Sequence, residues 1–331
     1  MKSKIGFALM GLAMMASCAQ ESDVTAVTEG QEIISLGALA NGMVETRGVI
    51  NDLEALSAEG DKVGIYGLAT AATKATDILT ADWTALPLMQ NVQTTTIDKT
   101  TGMMAWTGTH TYPKASDTKQ NVKFMAYYPY AAEGTGDDKV IAAGVSTAPK
   151  LNFTLDGSKD LMWATPVLGS RTAPASALKF NHKLTQFTFE LKDTKGDFTT
   201  TKGVVQKVTI NANTKGVMDM ESGVISGWAT PTDISVLKAE ITTVPKDTPV
   251  ALNTTTMLQA GQASFAVKLT CKLATETAVD LNGTIKPVGD TKFLEGKAYK
   301  ITLGLSGDVL VQLAAEVIPW VEGGTGSGNM E

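Results

Sequence analysis

The chain has 331 residues, with 28 Lys and Arg against 34 Asp and Glu, a formal charge of −6, and 43% hydrophobic residues. That length supports two domains of ordinary size, each with its own core. The acidic balance excludes a basic nucleic-acid footprint, and no apolar stretch after the N-terminus is long enough for a membrane helix.

Residues 1–18 read as an export signal. Lys2 and Lys4 precede an apolar run from Ile5 to Met15, and Ala16-Ser17 lead into Cys18. The run is shorter than the roughly 20 residues a membrane span needs. A small-residue junction ending in cysteine is the form of a bacterial lipoprotein signal, with Cys18 as the lipidated residue. Met15 stands where such signals usually have leucine. The following Ala19 to Asp23 is moderately acidic, a pattern that in some Gram-negative groups directs lipoproteins to the cell surface. With Cys18 lipidated, Cys271 is left alone and no internal disulfide can form.

Residues 19–47 read as a tether followed by a removable strand. No Lys or Arg occurs between Cys18 and Arg47, and the only other arginine is Arg171. A protease reading basic residues therefore meets the Arg47-Gly48 bond first. Between anchor and cut, Gln31 to Leu39 can form a strand in which Ile34, Leu36 and Ala38 alternate with Ile33, Ser35 and Gly37. Cleavage at Arg47 would release that strand and leave an edge able to accept a strand from another chain.

Beyond residue 48, period-2 alternation dominates. Val122, Phe124, Ala126 and Tyr128 share one face of a strand. Phe187, Phe189 and Leu191 do so in a second, and Phe265, Val267, Leu269, Cys271 and Leu273 in a third. Tyr299, Ile301, Leu303 and Leu305 form a fourth. Turn signals fall at Asp156-Gly157, Lys195-Gly196, Ser222-Gly223, Asn282-Gly283 and Glu295-Gly296. Short helices are expected only at Asn51 to Ala58 and in the Asp160 to Ala164 turn. The chain is thus all-β, two sandwiches in series, with domains at 48–181 and 182–331.

Signals for catalysis are poor. His110 and His182 are the only histidines, and neither has a metal-ligand partner at helical or hairpin spacing. Gly304-Leu305-Ser306-Gly307 lacks the glycine spacing of a nucleophile elbow. Asp156 to Asp160 and Asp219 to Gly223 read as turns rather than calcium loops. Cys271, on an apolar face, reads as a buried inert thiol. Tyr127, Tyr128 and Tyr130 around Pro129 either end a strand at a sandwich edge or stack on a sugar. No acid, base and nucleophile assemble, so no enzyme, metal or cofactor is expected.

Several motifs carry a family likeness. Lys123 to Tyr130 (KFMAYYPY) resembles the aromatic-Ala-Tyr-Tyr-Pro strand end of the Bacteroidales fimbrillins. Asp160-Leu161-Met162-Trp163-Ala164 resembles their Asp-Leu-Met/Leu-x-Ala turn. Leu178 to Leu191 resembles their Phe-x-His strand into the second domain. Phe293 to Leu305, with Val317 to Glu322 around Trp320, resembles their closing strands. The resemblance is to the fimbrillin family, Mfa-like subunits of the type V pilus. It implies two transthyretin-like β-sandwich domains in tandem and export as a lipoprotein held at the outer membrane. It further implies cleavage by a trypsin-like or arginine-specific protease and polymerisation with other pilin subunits by donor-strand exchange. His182 falls on the family's histidine and reads as packing between domains. The other reading is a monomeric cell-surface glycan-binding lipoprotein of the same architecture, never processed.

Overall fold

A computed structural model of the protein describes residues 32–41, 62–77, 87–98, 101–142, 147–196, 198, 203–237, 239–252, 255–273, 277–306 and 309–318. Cys18, Arg47, Gly48, Trp320 and the helix expected at Asn51 to Ala58 lie outside these residues. No helix occurs among the described residues, and the chain is all-β. The strands are β1 (Gly37–Asn41), β2 (Gly64–Thr70), β3 (Met89–Ile97), β4 (Met104–Trp106), β5 (Asn121–Tyr128) and β6 (Lys139–Ile141). There follow β7 (Lys150–Thr154), β8 (Met162–Ser170), β9 (Ala177–His182), β10 (Thr185–Asp193), β11 (Gly203–Asp219) and β12 (Ile225–Ser235). The last are β13 (Val250–Ala251), β14 (Thr256–Leu258), β15 (Phe265–Leu273), β16 (Val279–Ile285), β17 (Ala298–Ser306) and β18 (Val309–Ile318).

They form three sheets. A seven-stranded sheet runs β1-β9-β8-β5-β2-β3-β4. A second runs β13-β10-β17-β18 with β14 also on β10, and a third runs β16-β15-β11-β7-β6 with β12 also on β11. β7 pairs with β11, so a division of the chain at residue 181 is crossed by that ladder.

Alternation explains how the sheets stack, because a strand with an apolar face buries it against a second layer. Phe187, Phe189, Val267, Leu269, Cys271, Ile301 and Leu303 fill the core between the second and third sheets. There Phe187 meets Phe293 edge-on at 4.8 Å. β5 is buried on both faces. Val122, Phe124 and Ala126 enter a core with Ile34 and Leu36, while Met125 and Tyr127 face Leu151, Phe153 and Met218. The seven-stranded sheet thus wraps its own core on one face and packs on the third sheet with the other.

Two expectations are corrected. The Asp160–Ala164 segment is not helical, since Met162 begins β8 and pairs with Tyr128 and His182. Residues 162 to 164 meet neighbours on both sides, and ladder bonding outweighs a single local turn. Asn282-Gly283 is not a turn but the middle of β16. A Cβ on Gly283 would lie 3.2 Å from the Leu310 carbonyl oxygen, so this glycine admits the backbone of β18. The other turn signals hold, and Gly157, Gly196, Gly223 and Gly296 all have positive φ.

The β11–β12 turn plugs into the outer face of the seven-stranded sheet. Asp219 Oδ1 accepts hydrogen bonds from the Glu221 and Ser222 amides and the Ser222 hydroxyl, which fixes the turn. Trp163 Nε1 donates to the Met220 carbonyl at 2.9 Å. Gly223, at φ +67°, lies so close under the Trp163 ring that an added Cβ would sit 2.4 Å from it. At the centre, Lys123 Nζ of β5 meets Glu221 Oε1 at 2.9 Å, and both side chains are buried. Lys123 Nζ also donates to the Asp77 carbonyl at 3.0 Å.

Removing one member of a buried pair strands the other charge, so Glu221→Ala should lower stability by roughly 3–5 kcal/mol in urea denaturation. Lys123→Met with Glu221→Leu should recover most of that loss, because an apolar pair carries no desolvation cost. Burial, with the Asp280 charge adding to it, raises the Cys271 thiol pKa. Maleimide labelling of Cys271 should therefore be slow in the folded protein and fast in denaturant.

Candidate functional site

The segment from Glu32 to Asn41 is pinned from both sides. On one side, β1 runs parallel to β9, with Gly37 opposite Ala177 and Asn41 opposite Asn181. The Gly37 amide donates to the Ser176 carbonyl at 2.8 Å. On the other side lies residues 102–112, running antiparallel. The Ile34 amide donates to the His110 carbonyl at 2.9 Å and the Ala38 amide to the Gly102 carbonyl at 2.8 Å. In return, the Met104 and Tyr112 amides donate to the Leu36 and Glu32 carbonyls, each at 3.0 Å. Since β9 is one end of the remaining sheet and β4 the other, this one segment joins the two ends.

Its side chains follow the alternation. Ile34, Leu36 and Ala38 are at most 2% exposed, whereas Ile33 is 49% exposed and Ser35 faces solvent. The buried three pack with Met104, Tyr112, Phe124, Leu178 and Phe180. Gly37 is small for a reason, as a Cβ there would lie 3.2 Å from the Ser176 carbonyl oxygen. Without the segment, a groove remains with two unpaired backbone walls and an apolar floor.

Tyr112 lies across that groove. Its backbone belongs to one wall, and its hydroxyl accepts a hydrogen bond at 2.9 Å from the Ala175 amide, just before β9 on the other. Gly169 makes room for it, because a Cβ at 169 would sit 2.7 Å from the tyrosine oxygen. The ring meets Phe124 edge-on at 6.0 Å. Burial raises the Tyr112 pKa, against the lowering effect of the Ala175 amide, so the neutral hydroxyl persists through neutral pH.

The remaining candidates are structural. His182 is buried with Nδ1 2.5 Å from Asp160 Oδ2, tying the start of β8 to the end of β9. His110 is held by the Leu88 carbonyl at 3.2 Å and lies 6.5 Å from the Trp106 ring. Asp156 Oδ1 accepts from the Ser158 amide and hydroxyl, so it closes a turn, as Asp219 does. Tyr127 is fully buried, and its hydroxyl donates to Asn91 Oδ1 at 2.7 Å; it offers no face to a sugar. Tyr128 and Tyr130 border a cleft of about 250 Å³. The carboxylates on its rim are engaged, Asp138 by the Thr154 amide and Asp160 by His182 and the Leu161 amide. The sequence places a strand at Gln31 to Leu39, whereas β1 spans Gly37–Asn41 and the residues before it pair with the other wall; both walls and Tyr112 were missed. Residues 102–112 carry no clear alternation, and nothing local marks a tyrosine that bonds to a backbone 63 positions away.

These features define an all-β protein with an N-terminal strand set in a two-walled groove. A sequence model of the fimbrillin-like family matches residues 46–320, and the chain belongs to that family. The match begins one residue before Arg47 and leaves the groove strand outside it. The fold is similar to a fimbrial protein of Bacteroides vulgatus, at 18% identity and a TM-score of 0.57 over 87% of this chain and 99% of that one. It is also similar to candidate cell adhesion proteins of Bacteroides uniformis (18% identity, TM-score 0.54, 87% of this chain and 99% of that one) and Bacteroides ovatus (18%, 0.52, 88% and 99%). No protein of curated function matches the chain.

Truncating Leu36 empties part of the groove core only while the strand is in place. Leu36→Ala should cost roughly 2–5 kcal/mol in the uncut protein, measured by urea denaturation. After the strand has been released, the same substitution should make no difference.

Proposed function

We propose that the chain is a structural fimbrial subunit that switches from monomer to polymer when cleaved after Arg47. Membership of the fimbrillin-like family supports a non-catalytic role at the cell surface, in a fimbrium or in adhesion. In this reading Cys18 is acylated and holds the precursor at the outer membrane, and cutting the Arg47-Gly48 bond frees residues 19–47 with the lipid. The observation that carries it is the position of the groove strand: residues 32–41 are built into the sheet, yet lie entirely on the anchor side of Arg47. Leaving a buried donor or acceptor unpaired costs roughly 1–3 kcal/mol, so an emptied groove strongly favours refilling.

β18 is the donor best suited to refill it. Among the described residues its ladder is with β17 alone, at the edge of its sheet, and it carries exposed Val311 (38%) and Leu313 (44%). Its residues Val311-Gln312-Leu313-Ala314-Ala315 repeat the character of Ile34-Ser35-Leu36-Gly37-Ala38 position by position. Each series runs aliphatic, polar, leucine, small, alanine. Ala314 would replace Gly37, where a Cβ needs a shift of only a few tenths of an ångström. In that register Val311, Leu313 and Ala315 of one subunit occupy the sites of Ile34, Leu36 and Ala38 in the next.

Three variants test the switch by electrophoresis after trypsin treatment. The parent should form ladders that survive mild detergent. Arg47→Ala and a truncation after Ser306 should stay monomeric. Leu313→Asp should also stay monomeric while leaving the precursor folded, at a cost of roughly 1 kcal/mol in urea denaturation, since the side chain is 44% exposed and gives up only its packing over Gly304. Assembly of Arg47→Ala at the parent rate would show that cleavage is not the switch. Failure of the cleanly cut parent to assemble would favour a monomeric surface binder.

A further inference from the structure

We propose that Tyr112 is a positioning residue that spaces the groove walls while the groove is empty, so that an incoming strand meets a preformed site. The inference rests on the strand-exchange reading above. Strands pair about 4.8 Å apart, so the walls on either side of one missing strand must stay about 9.6 Å apart to accept another. Two outcomes threaten an empty groove. The walls can close and pair with each other, or the short β4 end of the sheet can swing away.

Every bond between the strand and its walls disappears on release, including those from Gly37, Ala38, Ile34, Met104 and Tyr112 backbone groups. The Tyr112 side-chain bond does not depend on the strand. Its hydroxyl reaches the Ala175 amide at 2.9 Å, next to Ser176, which receives the Gly37 amide. The aromatic ring is a rigid spacer with two torsions, and its edge-on contact with Phe124 fixes its tilt. Gly169 keeps the tie open, since a Cβ there would lie 2.6 Å from the Ala175 nitrogen and 2.7 Å from the Tyr112 oxygen, its two ends. The bond also satisfies a buried amide beside the segment that β1 covers. Thus one tyrosine ties the walls together and holds them apart.

The test uses the full-length Leu313→Asp protein as its parent, because its own β18 cannot fill the groove, cut with trypsin and offered a fluorescently labelled peptide of residues 31–47. Anisotropy follows capture of the peptide by the groove. Tyr112→Phe keeps the ring and deletes only the tie. Val205→Ala, in the core between the other two sheets, serves as a variant destabilised away from the groove. The cut parent and Val205→Ala should capture the peptide alike, and Tyr112→Phe should bind it roughly ten- to a hundredfold more weakly, with most of the loss in the association rate. Gly169→Ala should act in the same direction. Equal capture by Tyr112→Phe and parent would overturn the role of Tyr112. An equal loss in Val205→Ala would reduce it to general stability and overturn the proposal as well. No capture by the parent would overturn the strand-exchange reading itself.

Discussion

The structure depends on one short strand that closes a sheet. Residues 32–41 give their amides and carbonyls to two walls that are otherwise the opposite ends of the remaining six strands of their sheet. A sheet edge is a row of unpaired donors and acceptors, and proteins cover such rows or use them for association. Here a single segment covers two edges at once and supplies Ile34 and Leu36 to the core beneath. Its loss therefore exposes backbone and apolar surface together. The energetic consequence is large for a segment so short, and it sits close to a chemically distinctive peptide bond.

The rest of the molecule keeps that sheet in place. β5 carries Phe124 into the groove core and Lys123 to the opposite side, where Glu221 on the β11–β12 turn receives it. A buried ion pair adds little net stability, but it penalises any docking in which the charges fail to meet. The Trp163 contacts at Met220 and Gly223 narrow the choice further. Polar groups elsewhere work in the same way. Fully buried Asp193 accepts from the Lys195, Gly196 and Phe198 amides and so fixes the loop after β10.

Toward the C-terminus, β18 shows how an edge strand is kept home while one of its faces stays largely exposed. Gln312 bonds in both directions with the Lys286 backbone, accepting its amide at 2.6 Å and donating to its carbonyl at 2.9 Å. Leu313 lies over Gly304, where a larger residue would collide with it. These contacts add to its ladder with β17 and to the buried side chains of Leu310 and Ala315.

Much of this was legible in the sequence because alternation is local. Phe187, Phe189 and Leu191, or Ile34, Leu36 and Ala38, declare their buried face within five residues, and the family likeness of residues 123–130 and 178–191 rests on short runs. The place of Arg47 relative to the strand is also a matter of order along the chain. Partners were not legible. Asn282-Gly283 has the chemistry of a turn, yet β15 and β18 approach it and hold it as strand. Met162 to Ala164 has the look of a turn, yet β5 and β9 flank it. Parallel pairing of β1 with β9 joins residues 140 positions apart, and no local pattern specifies which edge meets which. The sequence by itself determined which faces must be buried, since that follows from side-chain period. Only the tertiary structure decided what buries them, and with it the two walls, the Tyr112 tie and the Lys123–Glu221 joint, because these contacts exist only after distant strands have paired.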